Sequence, residues 1–227
     1  MAASVLLLGA ESELKTHTEL SYVNTKGNSD TESFALEAKA DKSADKHVFH
    51  VKAEAFYSKD GEIESKNKWL AELSYDYEFT ERFAFNYLLG FKQDKFSSFD
   101  SQLYTGPGVK YKAVALEVHK LNFQANILYA RDDFKVPDET EGYASWQAAF
   151  DYNWQILDNL KFTQEANYRS SFEDGENYFA TSKTSIANKI NSTLSLGLSY
   201  KVDYANSVAT GIERTDRTFL TSLIIDY

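Results

Sequence analysis

The C-terminal end of this chain alternates between two kinds of side chain. From Phe219 to Tyr227 every second residue is apolar or a threonine, and the series ends on an aromatic ring. A period of two is typical of a β-strand whose two faces meet different environments. This pattern constrains the fold most, because it predicts a sheet that has one apolar face. The final aromatic residue on that face is typical of the closing strand of an outer-membrane barrel.

The same alternation recurs along the whole chain, and each alternating segment is followed by a polar break. Strands of ~9–11 residues are long enough to cross an outer membrane when they are tilted. The sequence predicts twelve such strands, at residues 13–24, 31–42, 47–58, 66–79, 83–92, 101–112, 120–131, 143–155, 160–172, 178–190, 194–204 and 217–227.

The breaks alternate in length as well. Breaks after odd-numbered segments are mostly longer, and breaks after even-numbered segments are mostly short, with residues 113–119 as the exception. An even number of strands brings both ends to one side, which in bacterial barrels is the periplasm. The sequence therefore predicts short periplasmic turns and longer acidic outer loops. The acidic residues of these loops are Asp60, Glu62, Glu64, Asp132, Asp133, Asp138, Glu139, Glu141, Glu173, Asp174 and Glu176.

Composition separates a membrane protein from a soluble one here. Aromatic residues make up 15% of the chain, and only 2 residues are proline. Tyrosine and tryptophan concentrate at membrane interfaces, and proline is excluded from closed ladders. The absence of cysteine excludes disulfides and thiolate metal sites. The net charge of -10 argues against a nucleic-acid partner.

These patterns predict an all-β chain with a single twelve-stranded antiparallel transmembrane β-barrel over residues 12–227. Residues 1–11 are interpreted as a signal or cloning remnant, or as a disordered N-terminus. No apolar run approaches the ~20 residues that a membrane helix needs. The alternative is a soluble barrel or sandwich with the apolar face in its core. Aromatic residues near the strand ends favour the membrane barrel, in the outer membrane of a Gram-negative bacterium.

Three short stretches resemble those of a known family. Residues 22–31 read YVNTKGNSDT, residues 106–111 read GPGVKY and residues 214–217 read RTDR. They are similar to stretches that recur in the YdiY-type family of salt-induced outer-membrane proteins. Arg217 departs from the late stretch, where threonine is frequent. The resemblance implies an outer-membrane barrel and supplies no established activity, so no catalytic residue, cofactor or metal ligand is carried over.

Pro107 interrupts the sixth segment, between Gly106 and Gly108. Proline has no N–H to donate to a ladder, and a closed barrel has no free edge to place it on. A β-bulge is therefore predicted at this position.

One face of the strands is predicted to line the barrel interior, and it carries charges of both signs. These charges are either mutually satisfied ion pairs or the lining of a selective pore. A twelve-stranded barrel falls between filled and channel-forming sizes, and we favour a largely satisfied lumen with a narrow path. The predicted lumen-lining residues are Glu19, Glu37, Lys39, His50, Lys52, Glu54, Glu72, Asp76, Lys92, Lys110, Lys112, Asp151, Glu165, Arg169, Lys183, Lys201 and Asp203.

The other face is predicted to contact lipid. The predicted partners are the bilayer and lipopolysaccharide, the latter through divalent ions on the acidic rim, together with small solutes or ions. The predicted lipid-facing residues are Trp69, Leu73, Phe85, Trp146, Phe150, Leu194, Leu196, Leu198, Phe219, Leu223, Ile225 and Tyr227.

Three functions fit a barrel of this kind. The first is a structural barrel or a narrow pore for small solutes and ions. The second is a surface-recognition protein whose acidic loops bind a partner. The third is an outer-membrane hydrolase, which needs a serine beside a histidine; no histidine of this chain lies two residues from a serine on a shared strand face. The sequence therefore favours a protein that is not an enzyme, with no cofactor and no metal.

Overall fold

The computed structural model describes residues 13–26, 30–135 and 138–227. The segment 1–11 and residues 27–29 of the early family-like stretch lie outside the described residues. The described strands are β1 (Glu13–Thr25), β2 (Thr31–Ala44), β3 (His47–Asp60), β4 (Ile63–Glu78), β5 (Phe83–Asp94), β6 (Phe99–Ala115), β7 (His119–Phe134), β8 (Thr140–Leu157), β9 (Leu160–Ser171), β10 (Tyr178–Lys189), β11 (Leu194–Ala205) and β12 (Thr215–Asp226).

Each strand pairs antiparallel with its neighbours in sequence, and β12 pairs with β1 to close the barrel. The predicted twelve-stranded antiparallel barrel is therefore confirmed. Over the paired residues, closure removes the sheet edge that would otherwise be open to other chains. The described residues include no helix that is long and apolar enough to cross a membrane.

The two ends of the barrel differ in the length of their connections. At the end where β1 begins, here called the short-turn end, the connections are residues 45–46, 79–82, 116–118, 158–159 and 190–193. At the opposite end, here called the long-loop end, they are residues 26–30, 61–62, 95–98, 135–139, 172–177 and 206–214.

Two of the predicted breaks are shorter in the structure than in the sequence analysis. Residues 61–62 form a tight turn in which Gly61 has a φ of 61°, so this connection of the long-loop end is not long. The prediction of an exceptionally long break at residues 113–119 was wrong. The β6–β7 ladder continues through Val114 and Ala115 after a register shift, because a bulge lets the pairing resume.

The bulge predicted at Pro107 was also wrong. Pairing between β5 and β6 runs in one register through Gly106, Pro107 and Gly108, and the β6 shifts lie elsewhere. A Cβ on Gly106 would lie 2.1 Å from a backbone oxygen of Ile127, and one on Gly108 would lie 2.3 Å from that of Ala125. The two glycines therefore let β6 approach β7 closely, and this close approach accommodates the proline without an inserted residue.

Aromatic rings collect near both ends of the strands. At the long-loop end, Trp146, Tyr168, Tyr178 and Tyr204 form one row with successive centroid separations of 5.3, 5.5 and 5.7 Å. At the short-turn end His119, the first residue of β7, stacks between two rings of β8. Such rows are typical of the aromatic girdles of membrane barrels.

Candidate functional site in the barrel interior

The interior of the barrel is reached by side chains from strands that are not neighbours in the sheet. Lys39 of β2 donates to Glu165 of β9 at 2.6 Å, and Lys68 of β4 donates to Asp203 of β11 at 2.9 Å. Because these strands are separated in the sheet, such contacts must cross the lumen. In each strand, the residues that alternate with these contacts at a spacing of two lie on the same inner face.

Charged side chains form a continuous series of ion pairs through the lumen. Lys183 is an internal member of this series and bonds Glu37 at 2.8 Å and Glu19 at 3.1 Å. The side chain of Lys183 is only 9% exposed, so its charge depends on these two carboxylates. The series in order is Asp226, His17, Glu19, Lys183, Glu37, Lys39, Glu165, Lys52, Glu54, Lys201, Asp203, Lys68, Asp216 and Lys66.

The series extends over the height of the barrel. It begins at Asp226, the last residue of β12, and ends at Lys66 near the long-loop end of β4. All of its members come from β1–β4 and β9–β12. Eight of the twelve strands therefore present charged side chains to the lumen.

A second polar cluster lies near the short-turn end. Asp76 accepts bonds from His50 at 2.9 Å, Lys110 at 2.7 Å and Asn86 at 2.6 Å. Asn86 is fully buried, and its amide oxygen accepts a further bond from Asn126 at 2.7 Å. This cluster fills the lumen on the β3–β7 side at that end.

The remaining strands, β5–β8, carry an apolar cluster on their inner faces. Leu88, Leu128, Ala130, Tyr104 and Tyr143 form one buried cluster on β5–β8. This cluster fills part of the lumen without adding charge.

Arg169 of β9 connects the charged strands with this apolar cluster. Its guanidinium carbon lies 4.6 Å from the ring centroid of Tyr104 and 4.7 Å from that of Phe179. A guanidinium between two aromatic faces is held by cation–π attraction. Its carboxylate neighbour is Asp132, at 3.9 Å, which Tyr143 and Gln102 also bind. The arrangement fixes a bridge across the lumen in its long-loop half.

Two cavities of the described part of the chain lie between these side chains. One of about 180 Å³ lies in the middle of the barrel, and one of about 290 Å³ lies beneath the loops 95–98 and 206–214. Six residues line both cavities, and the level of the lumen that they occupy is here called the neck. The neck residues are Lys68, Lys92, Gln102, Phe179, Thr181 and Asp203.

The loop 206–214 covers the outer cavity. The backbone N–H of Ala209 donates to the hydroxyl of Ser98 at 2.7 Å, which ties this loop to the β5–β6 connection. Asn206 donates to the backbone and the carboxylate of Glu176 in the β9–β10 connection. Access from the long-loop end therefore passes between tethered loops.

The structure brings the predicted lumen residues together on the inner faces of their strands. Besides the members of the ion-pair series and the His50 cluster, Glu72 accepts the hydroxyl of Tyr104 and Asp151 accepts the amide of Asn122. Lys112 bonds Glu78 at 2.6 Å. Among the described residues, Lys92 alone of this predicted set has neither an ion pair nor a side-chain hydrogen bond, and it lines the neck.

The predicted lipid-facing residues lie on the outer faces. Exposed fractions are 67% for Phe219 and 53% for Leu196, and Tyr227, which follows the last residue of β12, is 88% exposed. The half-buried members of the set are Phe85, Phe150, Leu194 and Ile225. The alternation of exposed and covered residues follows the strand period.

Several interior residues escaped the sequence analysis. Asp132 was expected in an acidic outer loop, and this was wrong: it lies on β7 with no exposed surface. Lys68 shares the face of Glu72 by alternation, so the sequence signal for it was present. The inward leucines at 88 and 128 gave no such signal, because an apolar residue fits the outer face equally well by composition.

The histidines do not bond to serine in the described structure. His47 and His119 pair with tyrosine hydroxyls, and His17 and His50 each bond two carboxylates. His17, Glu19 and Glu37 bring possible metal-ligand atoms within 4.8 Å of one another. The ammonium of Lys183 already bonds both glutamates, so this group belongs to the ion-pair series.

Comparison with known proteins agrees with this architecture. A family model described as "Protein of unknown function, DUF481" matches residues 18–227. The chain belongs to the DUF481 family. A comparison with curated protein sequences finds no match.

Two solved structures share the fold of this DUF481 protein at low sequence identity. The NanC porin aligns with a TM-score of 0.52 at 10% identity, over 94% of this chain and 98% of the porin. An outer-membrane channel from Pseudomonas putida F1 aligns with a TM-score of 0.53 at 9% identity, over 98% of this chain and 96% of the channel. The fold is that of outer-membrane porins.

Proposed function

We propose that this chain is a narrow pore for small solutes and ions in the outer membrane of a Gram-negative bacterium. The observation that carries the proposal is the pair of cavities that meet at the neck inside a closed barrel. A purely structural barrel needs no internal space, whereas a conducting path requires polar lining and volume. The porin-like fold and the outward apolar faces support the membrane location.

We extend the proposal to the orientation of the barrel, its contact with lipopolysaccharide and its narrower family. The short-turn end would face the periplasm, and the acidic long-loop end would contact lipopolysaccharide. Membership of the YdiY-type family within DUF481 is supported by the stretches at residues 106–111 and 214–217, which lie in β6 and at the start of β12. The aromatic rows near both strand ends support burial of the intervening band in a bilayer.

Single-channel recording tests the pore. The purified barrel, reconstituted in a planar bilayer, should give small and uniform current steps. Phe179→Ala should raise the unit conductance, because it removes a ring from the neck. Phe162→Ala, on an outward face of β9, is the matched control and should leave conductance unchanged. Absence of current steps from a folded barrel would refute the pore and favour the alternative in which the barrel only anchors acidic recognition loops.

A further inference from the structure

The strands β1 and β12 close the barrel, and the line along which they meet, here called the seam, is hydrogen-bonded over only part of its length. The ladder between β1 and β12 joins residues 17–20 to residues 223–226, which is four residue pairs, and Thr16 and Tyr227 exchange two further backbone hydrogen bonds just beyond it. Every other ladder of the barrel holds ten or more pairs in the described residues. Continued in the same register, residues 21–25 of β1 would pair with residues 218–222 of β12. Those five pairs are missing.

The unzipped section lies at membrane depth. Tilted strands advance ~2.5 Å per residue along the membrane normal, and the apolar band is ~25 Å tall. Residue 19 is the middle of β1, so residues 21–23 lie ~5–10 Å from the centre of the strand. Val23 belongs to the inward series of β1, yet 48% of it is exposed. The wall is therefore open on the side of the long-loop leaflet.

An open seam at this depth needs a polar partner. Backbone N–H and C=O groups that face hydrocarbon without hydrogen bonds are costly, and open sheet edges do not otherwise occur there. On β1 and β12 these groups face the gap, since each strand is paired only on its far side over this section. A ligand or water that enters from the lumen would satisfy them.

The central cavity reaches this gap. Its lining includes Ser21 of β1 together with Thr218, Leu220 and Ser222 of β12. The same cavity extends across the lumen to Lys92 of β5. Among the described residues, no carboxylate lies within ion-pair distance of Lys92, so its ammonium is available to an anionic group that enters the cavity. The lining thus combines a cation at one side with an opening toward lipid at the other.

We propose that this section of the seam is a lateral port for an anionic amphiphile. The carboxylate or phosphate head would enter the cavity and bind Lys92, and the hydrocarbon chain would leave through the gap into the bilayer. The proposal rests on the membrane location proposed above and goes beyond axial passage of small solutes. A long-chain fatty acid carries the smallest head of this class and serves as the probe.

Paired cysteines test the geometry, because the native chain contains none. Thr18→Cys with Ile225→Cys places two thiols at a zipped pair, and Tyr22→Cys with Thr221→Cys places them four residues further along on the same outward faces. Disulfides form only where Cα atoms lie within about 7 Å. Oxidation should cross-link the first pair and spare the second. Equal cross-linking of the two would overturn the open seam.

Fluorescence quenching tests the ligand. A bimane label on a cysteine at Leu220 should be quenched by a doxyl-labelled fatty acid in phosphatidylcholine vesicles, as strongly as a label at the outward Leu223. A label at Gln124, an inward residue outside both cavities, should be spared. No quenching at 223 would refute the membrane location itself. Quenching at 223 without quenching at 220 would refute the port alone.

The role of Lys92 has its own readout. Lys92→Gln should raise about tenfold the mole fraction of fatty acid that gives half-maximal quenching at position 220, since a hydrogen bond to a charged group is lost. Lys161→Gln removes an inward lysine at the short-turn end that lines neither cavity, and it should have no effect. Equal responses to the two substitutions would overturn the anionic head as the recognised group.

Discussion

The membrane location can be tested by introducing the same charge at two depths. Ile127 lies on the outward face of β7 and is 65% exposed, and Ile63 is the first residue of β4 and is 76% exposed. Ile127 is eight residues from His119 and seven from Phe134, the two ends of its strand. At ~2.5 Å per residue along the normal, it lies ~20 Å from either end and close to the bilayer midplane.

The two isoleucines should respond very differently to arginine. Ile127→Arg should cost about 2–4 kcal/mol in the free energy of unfolding, because the charge must reach water from the midplane. Ile63→Arg should cost about 0–1 kcal/mol, because its position at the long-loop end lies at the interface or beyond it. Both side chains are well exposed, at 65% and 76%, so a barrel in water would tolerate either arginine at a small and similar cost. A difference of about 2 kcal/mol or more therefore requires hydrocarbon around Ile127.

The measurement is reversible urea unfolding of the barrel in phospholipid vesicles, followed by tryptophan fluorescence. Both variants keep the same net charge, so a general electrostatic effect would move them together. Equal costs at the two positions, or a larger cost at Ile63, would show that the outward face of β7 does not meet hydrocarbon.

Two further substitutions test the interior. Lys183→Met should lower the free energy of unfolding by about 3–5 kcal/mol, because it leaves two buried carboxylates without their shared cation. The control Lys15→Met, at an exposed ion pair, should cost less than about 1 kcal/mol. Equal shifts of the urea midpoint in the two variants would argue against a buried ion-pair series. Gly106→Ala should lower the free energy of unfolding by about 1–3 kcal/mol and reduce the yield of folded barrel in a heat-modifiability gel, because its Cβ would meet a backbone oxygen of β7. The control Gly175→Ala, which has open space around its Cβ, should refold with the native yield in the same gel. Normal folding of the Gly106 variant would contradict the close approach of β6 and β7.

The strand count and the facing of the charged residues were predictable from the sequence. Alternation places Glu37 and Lys39 on one face because the strand period is two, and no other information is needed for that step. The same reasoning applied to β4 predicts Lys68 on the face of Glu72. The alternation also predicted an even number of strands, which brings the start of the first strand and the end of the last strand to the same side of the membrane.

The pairing of those charges across the lumen was not predictable. Lys39 and Glu165 meet although 126 residues separate them, and the meeting depends on how far the ladders are staggered around the barrel. Stagger is set by the sum of all registers, including the shifts in β6, and no single strand encodes it. For the same reason, the incomplete β1–β12 ladder has no local signature in residues 21–25.

The apolar cluster inside the lumen could not be predicted from the residue types alone. Leu88 and Leu128 point inward beside residues such as Asn86 and Asn126, so a strand can carry leucine on either face. Only the three-dimensional arrangement shows that these leucines meet each other and Tyr104 rather than lipid.

The ion-pair series has a consequence for how this interior can change over evolutionary time. Each internal member contacts an opposite charge on both sides, so losing one charge alone unbalances the lumen, and exchanging two adjacent members places like charges beside each flanking residue. Loss of an adjacent pair such as Lys183 and Glu37 together keeps the net charge, and the flanking Glu19 and Lys39 retain His17 and Glu165 as partners. Relatives of this chain are therefore expected to lose members of the series in adjacent pairs of opposite charge rather than singly.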